Sequence, residues 1–543
     1  MISLGCAKNL VDAEIMLGSL QERGIEITED TENADVVIVN TCSFIDSAQE
    51  ESVDTILETD DLRKHGKKGQ GLIVSGCLPQ RFKEELPKLL PEVDAFIGID
   101  QVRDIPEIVE QSKASRAEKI ASKKKKNRAS RKKVSKRLAE LDAGKTASQH
   151  EKDEAIRGTD EFGKTKRVVT PDEPFVDVNK RPNYIPDVAT PRYRLTPKHL
   201  TYLKIAEGCN HPCSFCIIPR MRGTHRSRQQ DDIVAEAKRL IKDGVKEINL
   251  ISQDTTYYGL DLRKNPSRAI ASPERFSAAT NSLPVDATTI SSLLRELNSL
   301  RGDFWVRMLY THPAHWMPDL ITTMRECRKV AKYIDIPLQH IHPTMLQRMR
   351  RETSGDYIRE LIAEIRAGIP GIAIRTTFIV GFPGETDNHF DTLLDFIRET
   401  RFERLGVFSY SQEEKTIAGK MTRQLPDEIR QERRALAMAE QHDVARELSE
   451  SMVGRKIKVL VEGKASEDDL TSSNIRSWEH GLIRDENVDA PNLKGRYQVA
   501  RGEADAPDID GRVYIRGHKL PEGKFAKVKI VGHTDYDLIG EAV

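Results

Sequence analysis

The stretch Thr201–Cys216, TYLKIAEGCNHPCSFC, runs from a short apolar segment into a loop crowded with thiols. Its first half reads as a buried strand over Tyr202–Ala206. Its second half places Cys209, Cys213 and Cys216 within eight positions, in a chain of 543 residues with seven cysteines. A loop leaving the C-terminal end of a strand in a β/α barrel opens at the mouth, where active sites gather. Five further strand candidates follow: Glu247–Ile251, Trp305–Tyr310, Tyr333–Ile336, Ala373–Val380 and Gly406–Tyr410. Amphipathic helical patterns separate them, so residues 198–450 are expected to form an open, partial β/α barrel. Lys264–Ala287, rich in Pro, Ser and Ala, reads as a surface insertion within it.

On the N-terminal side, residues 1–110 alternate short apolar runs with helical patterns. Val36–Asn40 and Leu72–Gly76 look like buried parallel strands, and Asp12–Leu20 and Phe82–Leu90 like helices. A small doubly wound α/β domain is expected there. Its first strand, Ile2–Leu4, is short, and the true start is expected upstream. Residues 111–197 break the pattern. Between Gln111 and Arg137 stand thirteen Lys or Arg and one acid, Glu118; Pro, Asp and Thr follow. A solvated linker accounts for this composition, and a basic arm touching RNA is the sharper reading. Residues 451–543 carry short strands, Lys456–Val461, Gly511–Ile515, Phe525–Val531 and Tyr536–Ile539, with Gly and Pro turns. They fit a small closed β-barrel.

Charged residues make up 31% of the chain and the formal charges cancel, so net charge selects no partner. No apolar run reaches the length of a membrane span, and the N-terminus lacks the pattern of a signal peptide. The cytoplasm is the expected compartment. Thiols stay reduced there, so clustered cysteines point to metal or catalysis rather than disulfides.

A structural zinc site takes four ligands, usually in C-x2-C pairs. Here the spacing is C-x3-C-x2-C, and the nearby fourth candidate, His211, sits cramped between the first two thiols. The other reading is an iron–sulfur cube on three thiolates with one iron open. Cys6, Cys42 and Cys77 lie far apart, yet each ends a strand candidate, in SLGC, IVNTC and IVSGC. Strand C-termini of a parallel sheet share one edge, so these thiols are expected to converge and hold a second open cluster. Three unrelated buried cysteines are the plainer account. Cys327, in RECRKV, has no such setting and is taken as incidental.

The thiol spacing, with Phe215 before the last cysteine, resembles the signature of the radical S-adenosylmethionine enzymes. The resemblance implies a 4Fe–4S cluster on Cys209, Cys213 and Cys216 whose open iron chelates S-adenosylmethionine. Together with the second trio and a C-terminal barrel similar to a TRAM domain, the chain resembles the methylthiotransferases. Several stretches resemble the branch that modifies an aspartate of the twelfth protein of the small ribosomal subunit. They are SLGCAKNLVDAE, VNTCSFIDSAQEES, YLKIAEGCNHPCSFCIIPRMRG, LISQDTTYYGLDL, YIDIPLQH, TTFIVGFPGET, LGVFSYSQEE and DAPDIDG. That resemblance implies two 4Fe–4S clusters, the second on Cys6, Cys42 and Cys77. It implies methylthiolation of the aspartate β-carbon, with sulfur delivered from the second cluster. It also implies an electron donor such as flavodoxin or ferredoxin, and a monomer. The tRNA adenosine methylthiotransferases are the alternative branch.

Phe215, Gln253, Gly381 and Glu385 are the implied cofactor contacts. As bare sequence, GFPGET (Gly381–Thr386) is an ordinary strand-to-helix turn with Thr386 near an N-cap, and SQDTTYYG (Ser252–Gly259) a polar loop at a strand end. Gln253 and Asp254 are both able to bond a ligand there. His340 is expected to be structural. Glu503, Asp505, Asp508 and Asp510 make one loop of the C-terminal barrel acidic, which suits a basic protein partner better than RNA.

Overall fold

The structure, a computed structural model, describes residues 1–121, 174–263, 272–413, 415–465, 495–517, 519–534 and 536–543. It also describes residue 138 and the short pieces 157–159, 165–167, 476–477 and 482–483. Most of the basic run 111–137 lies outside the described residues. Contacts divide the chain into two compact units. One comprises Met1–Leu195, Cys216–Gly223 and Ser411–Lys420; the other comprises Thr196–Phe215, Thr224–Tyr410 and Met421–Val543.

The first unit is built on a five-stranded parallel sheet in chain order. Its strands are β1 (Ile2–Ser3), β2 (Val36–Thr41), β3 (Gly71–Gly76), β4 (Ala95–Ile97) and β5 (Phe175–Asp177). Helices α1 (Ala7–Glu22), α2 (Asp46–Leu62), α3 (Cys77–Phe82) and α4 (Ile105–Ala121) accompany it. β2 and β3 are buried almost throughout, as continuous Val/Ile runs in a parallel sheet should be. The expected helix Phe82–Leu90 is interrupted: α3 ends at Phe82 and a separate turn of helix spans Leu86–Leu89. Pro87 accounts for the break, since its ring clashes with the carbonyl four residues earlier and it has no N–H.

Strand β5 lies in the stretch that composition marks as linker. It pairs with β4, and the chain after it stays on this unit. Asp100 accepts from the backbone of Asn183 and Tyr184, and Arg192 pairs with the fully buried Glu14 at 2.5 Å. Pro- and Asp-rich composition reports only that a segment lacks apolar periodicity; it is silent on buried polar anchors.

The second unit opens with six parallel strands separated by helices. The strands are β6 (Leu200–Lys204), β7 (Glu247–Ile251), β8 (Trp305–Met308), β9 (Val330–Asp335), β10 (Ala373–Val380) and β11 (Arg404–Ser409). They pair in chain order and do not close. Helices α5 (Gln230–Lys242), α6 (Ile290–Ser299), α7 (Pro318–Glu326), α8 (Gly355–Gly368), α9 (Asp387–Thr400) and α10 (Asp427–Ser451) accompany them. One large apolar core joins helices to strands, and Cys327 lies within it. The described part of the insertion, from residue 272, forms a short helix over Pro273–Asn281. No helix among the described residues is long and apolar enough to cross a membrane.

Five strands then form the closed barrel: β12 (Lys456–Lys464), β13 (Tyr497–Gly502), β14 (Val513–Arg516), β15 (Phe525–His533) and β16 (Leu538–Ala542). Its acidic loop is not the open surface expected from composition. Asp505 accepts from Arg404 and Asp510 from Tyr333 at 2.7 Å, and both carboxylates are buried. Tyr202 donates to Asp508 at 3.3 Å, and Glu503 accepts from the Lys332 amide at 2.7 Å. Asp505 and Asp510 face inward, where Asp505 takes Arg404 of β11 and Asp510 lies 3.5 Å from Arg375 of β10, which also pairs with Asp335 at 2.8 Å; Asp508 stays exposed.

Glu247, at the start of β7, ties the two sheets of this unit together. It takes Arg307 from β8 at 2.8 Å and Arg501 from β13 at 2.7 Å, with both its oxygens buried. Burial alone would raise its carboxyl pKa, but the two guanidiniums outweigh it and hold the value at about 2. Glu247→Ala is expected to cost this unit about 3–5 kcal/mol at pH 7, because two guanidiniums lose their shared acid. Urea denaturation would measure it. The carboxyl is depressed in the fold, so its contribution is complete above its unfolded value of 4.5 and is lost as pH falls through about 2. The gap between native protein and variant should therefore shrink across that window.

Candidate cluster-binding sites

In the first unit the sheet register brings the distant cysteines together. Thr41 lies opposite Gly76, so Cys42 and Cys77 leave β2 and β3 side by side. Ser3 lies opposite Asn40, and the Leu4 amide donates to the Asn40 carbonyl at 2.9 Å. Gly5 then turns with φ +82°, and a Cβ on it would lie 2.7 Å from Cys42 Cβ and 3.0 Å from Cys42 Sγ. Only glycine permits this approach. Cys6 follows directly. Cys42 and Cys77 are buried and Cys6 half-buried.

Asn9 stitches the three strand ends. Its Nδ2 donates to the carbonyls of Leu4 at 3.2 Å and Thr41 at 2.8 Å, while its Oδ1 faces Cys77 Sγ at 3.6 Å. Ser52 supports Cys42 by accepting from its amide at 3.1 Å and donating to its carbonyl at 2.9 Å. Burial pushes the Cys77 thiol up, with Arg222 pulling in the opposite direction. The segment Cys216–Gly223 belongs to this unit. Ile217 and Met221 pack on Cys77, which places Cys216 at the head of a piece anchored here.

In the second unit Cys209 and Cys213 lie on the loop after β6. The His211 amide donates to Cys209 Sγ at 3.5 Å, and Arg351 Nη1 donates to Cys213 Sγ at 3.6 Å. Ser214 is pinned twice: its hydroxyl donates to the Arg348 carbonyl at 2.8 Å and its amide to the Met349 carbonyl at 3.0 Å. Phe215 is half-buried on the same loop.

The His211 ring is held by a residue that sequence reasoning offered to a ligand. Asp254 Oδ2 bonds His211 Nε2 at 2.8 Å and His315 Nδ1 at 2.7 Å. Its Oδ1 caps a turn through the amides of Thr256 and Tyr257. Asp254 is thus spent within the protein. Burial holds His211 neutral, near pKa 4, against the pull of Asp254. Nitrogens of His211, His312 and His315 lie within 4.8 Å of one another. His211 and His312 stack 3.7 Å apart with planes 16° from parallel, however. An imidazole ligates through an in-plane lone pair, so stacked rings aim their nitrogens side by side rather than at one ion. The group is a hydrogen-bonded anchor for the thiol loop, and this argues against His211 as a fourth zinc ligand. His312 and His315 were missed in the sequence because nothing local to HPAH distinguishes it from a turn.

Gln253 differs from its neighbour. Its Nε2 donates to Glu207 at 2.7 Å, and Glu207 in turn pairs with Lys204 at 2.8 Å. Its Oε1 is buried with no hydrogen-bond partner, as are Arg351 Nε and Thr353 Oγ1. Buried orphan polar atoms beside a thiol loop fit a site completed by a polar cofactor.

The GFPGET turn is locked from inside. Gly381 has φ +71°, and a Cβ there would lie 2.3 Å from Arg430 Cγ. Its amide donates to Glu385 at 2.7 Å, and the same carboxylate takes His340 at 3.1 Å and Arg433 at 2.7 Å. Glu385 has no exposed side-chain surface. Its direct effect is on the shape of the turn, and His340 is a structural partner, as expected. Thr386 caps α9 in a capping box with His389.

Residues 1–98 match the model of the uncharacterized protein family UPF0004, residues 203–397 the radical SAM superfamily, and residues 486–543 the TRAM domain. A curated relative from Opitutus terrae, "Ribosomal protein uS12 methylthiotransferase RimO", is 49% identical over 99% of this chain and 95% of its own length. Relatives of the same name from Akkermansia muciniphila and Geotalea uraniireducens are 44% and 40% identical. They cover all of this chain, with 99% and 98% of their own lengths aligned. With that likeness running end to end, this chain belongs to the family of ribosomal protein uS12 methylthiotransferases named RimO.

Proposed function

We propose that this protein places a methylthio group on the β-carbon of an aspartate in ribosomal protein uS12. The observation that carries the reading is the pairing of two cysteine trios in different settings. One trio is gathered by sheet register on Gly5 and Asn9; the other is spaced along the single stretch Cys209–Cys216 that follows β6 in the sequence. The target hydrogen is on unactivated carbon, which no side-chain base removes. When bound, a 4Fe–4S cluster with an open iron supplies the electron that cleaves S-adenosylmethionine.

The residues divide the work. Cys209, Cys213 and Cys216 hold one cluster, and Cys6, Cys42 and Cys77 hold the other. Arg351 donates to Cys213 Sγ and so steadies that sulfur. Gln253 presents its unpaired Oε1 as an acceptor for the cofactor, backed by Glu207 and Lys204. Glu385 fixes the Gly381 turn on which the adenosyl part rests, and Phe215 covers the loop. The domain division follows: residues 1–110 for the second cluster, 198–450 for the radical chemistry and 451–543 for the barrel, with 111–197 between. The protein works in the cytoplasm as a monomer and draws electrons from a flavodoxin or ferredoxin. The basic run 111–137 serves as a solvated linker, with an RNA contact as its second reading. The names of the relatives favour uS12 over a tRNA adenosine as substrate.

Mass spectrometry after anaerobic incubation with S-adenosylmethionine, sulfide and a reductant tests the substrate. The uS12 aspartate loop should gain a methylthio group and bulk tRNA should not; a gain on tRNA alone would overturn the substrate. Single variants test the division of labour. Cys209→Ala should abolish release of 5′-deoxyadenosine. Cys6→Ala should keep that release and lose methylthio transfer. Cys327→Ala should change neither, since that thiol is buried in the apolar core.

A further inference from the structure

Arg222 stands six residues beyond Cys216, at the end of the segment CIIPRMR. It is among the largest fully buried side chains of the protein, and it lies in the first unit. Its Nη2 donates to Asn9 Oδ1 at 2.6 Å and to Cys77 Sγ at 3.6 Å. Asp12 on α1 is its acid, at 3.3 and 3.4 Å. Burying a guanidinium is expensive unless it is paired and hydrogen-bonded. The 2.6 Å bond goes to the residue that stitches the three strand ends.

Arg keeps its proton at any pH a protein meets, so this is a fixed positive charge beside a sulfur. Hydrogen bonds and positive charge at cluster sulfurs favour the more negative, reduced state. We propose that Arg222, held by Asn9 and Asp12, is a positioning residue for the cluster on Cys6, Cys42 and Cys77, and that its bond to Cys77 Sγ raises the reduction potential of that cluster. The inference rests on the reading of these three cysteines as cluster ligands. It means that the tail of one cysteine motif serves the other trio. A guanidinium that merely paired with Asp12 would affect stability and leave the potential alone.

The test uses the full chain with Cys209, Cys213 and Cys216 all replaced by alanine, reconstituted anaerobically, so that bound iron reports only the first unit. The midpoint is read by redox titration with electron paramagnetic resonance, in this parent and in Arg222→Gln and Arg222→Lys. Arg222→Gln should titrate at a more negative midpoint, and Arg222→Lys, which keeps the charge but not the fork, between it and the parent. An unchanged midpoint in iron-loaded Arg222→Gln overturns the proposal. If Arg222→Gln binds no iron, Arg222→Lys decides: a more negative midpoint supports the proposal, and an unchanged one or no iron overturns it. A parent that binds no iron overturns the cluster reading itself, and the inference falls with it.

Discussion

The constraint on which both cysteine sites depend is the polarity of a parallel sheet. Every strand in such a sheet ends at the same edge, and every connection must cross back before the next begins. Residues separated by dozens of positions are thereby delivered to neighbouring points. Cys42 and Cys77 owe their adjacency to the Thr41–Gly76 register and to nothing in their local sequence. A slip of one residue would break the Thr41–Gly76 pairing and move Cys42 and Cys77 out of step, so the register itself places the thiols.

The two sites share a second feature. In each, a guanidinium donates to one cysteine sulfur at 3.6 Å: Arg222 to Cys77 and Arg351 to Cys213. Each is also anchored elsewhere, on Asn9 and on the Pro337 carbonyl. The sulfurs are therefore addressed by donors whose own positions are fixed before anything binds. Asp254 plays the corresponding part for the loop itself, since it fastens His211 between two thiols without touching either.

Much of this was legible in the sequence, for a physical reason. Buried parallel strands are continuous apolar runs, so β7 and β10 were placed to the residue from pattern alone. The cysteines were legible because thiols are few and their strand-end positions recur. What escaped was polar and non-local. β5 is three residues long and half-exposed, so it carries no periodicity to detect. The acids of the DAPDIDG loop looked unpartnered because a string of carboxylates usually is. Their partners, Tyr202, Tyr333, Arg375 and Arg404, lie more than a hundred residues away. Asp254 looked available for the same reason: His211 and His315 are distant in sequence and adjacent in space.

The inward-facing acids bear on how such a chain can change over time. The C-terminal barrel reads as a module, with its own strands, turns and core. Energetically it is a stopper, because its acidic loop neutralises cations that the larger sheet cannot leave bare. A barrel borrowed from another protein, however well folded, would strand Arg404 and leave Arg375 to Asp335 alone unless it brought equivalent acids at the same places. Recombination at this junction is therefore restricted by charge, while the barrel's outward strands, free of that duty, are where a new partner could be acquired.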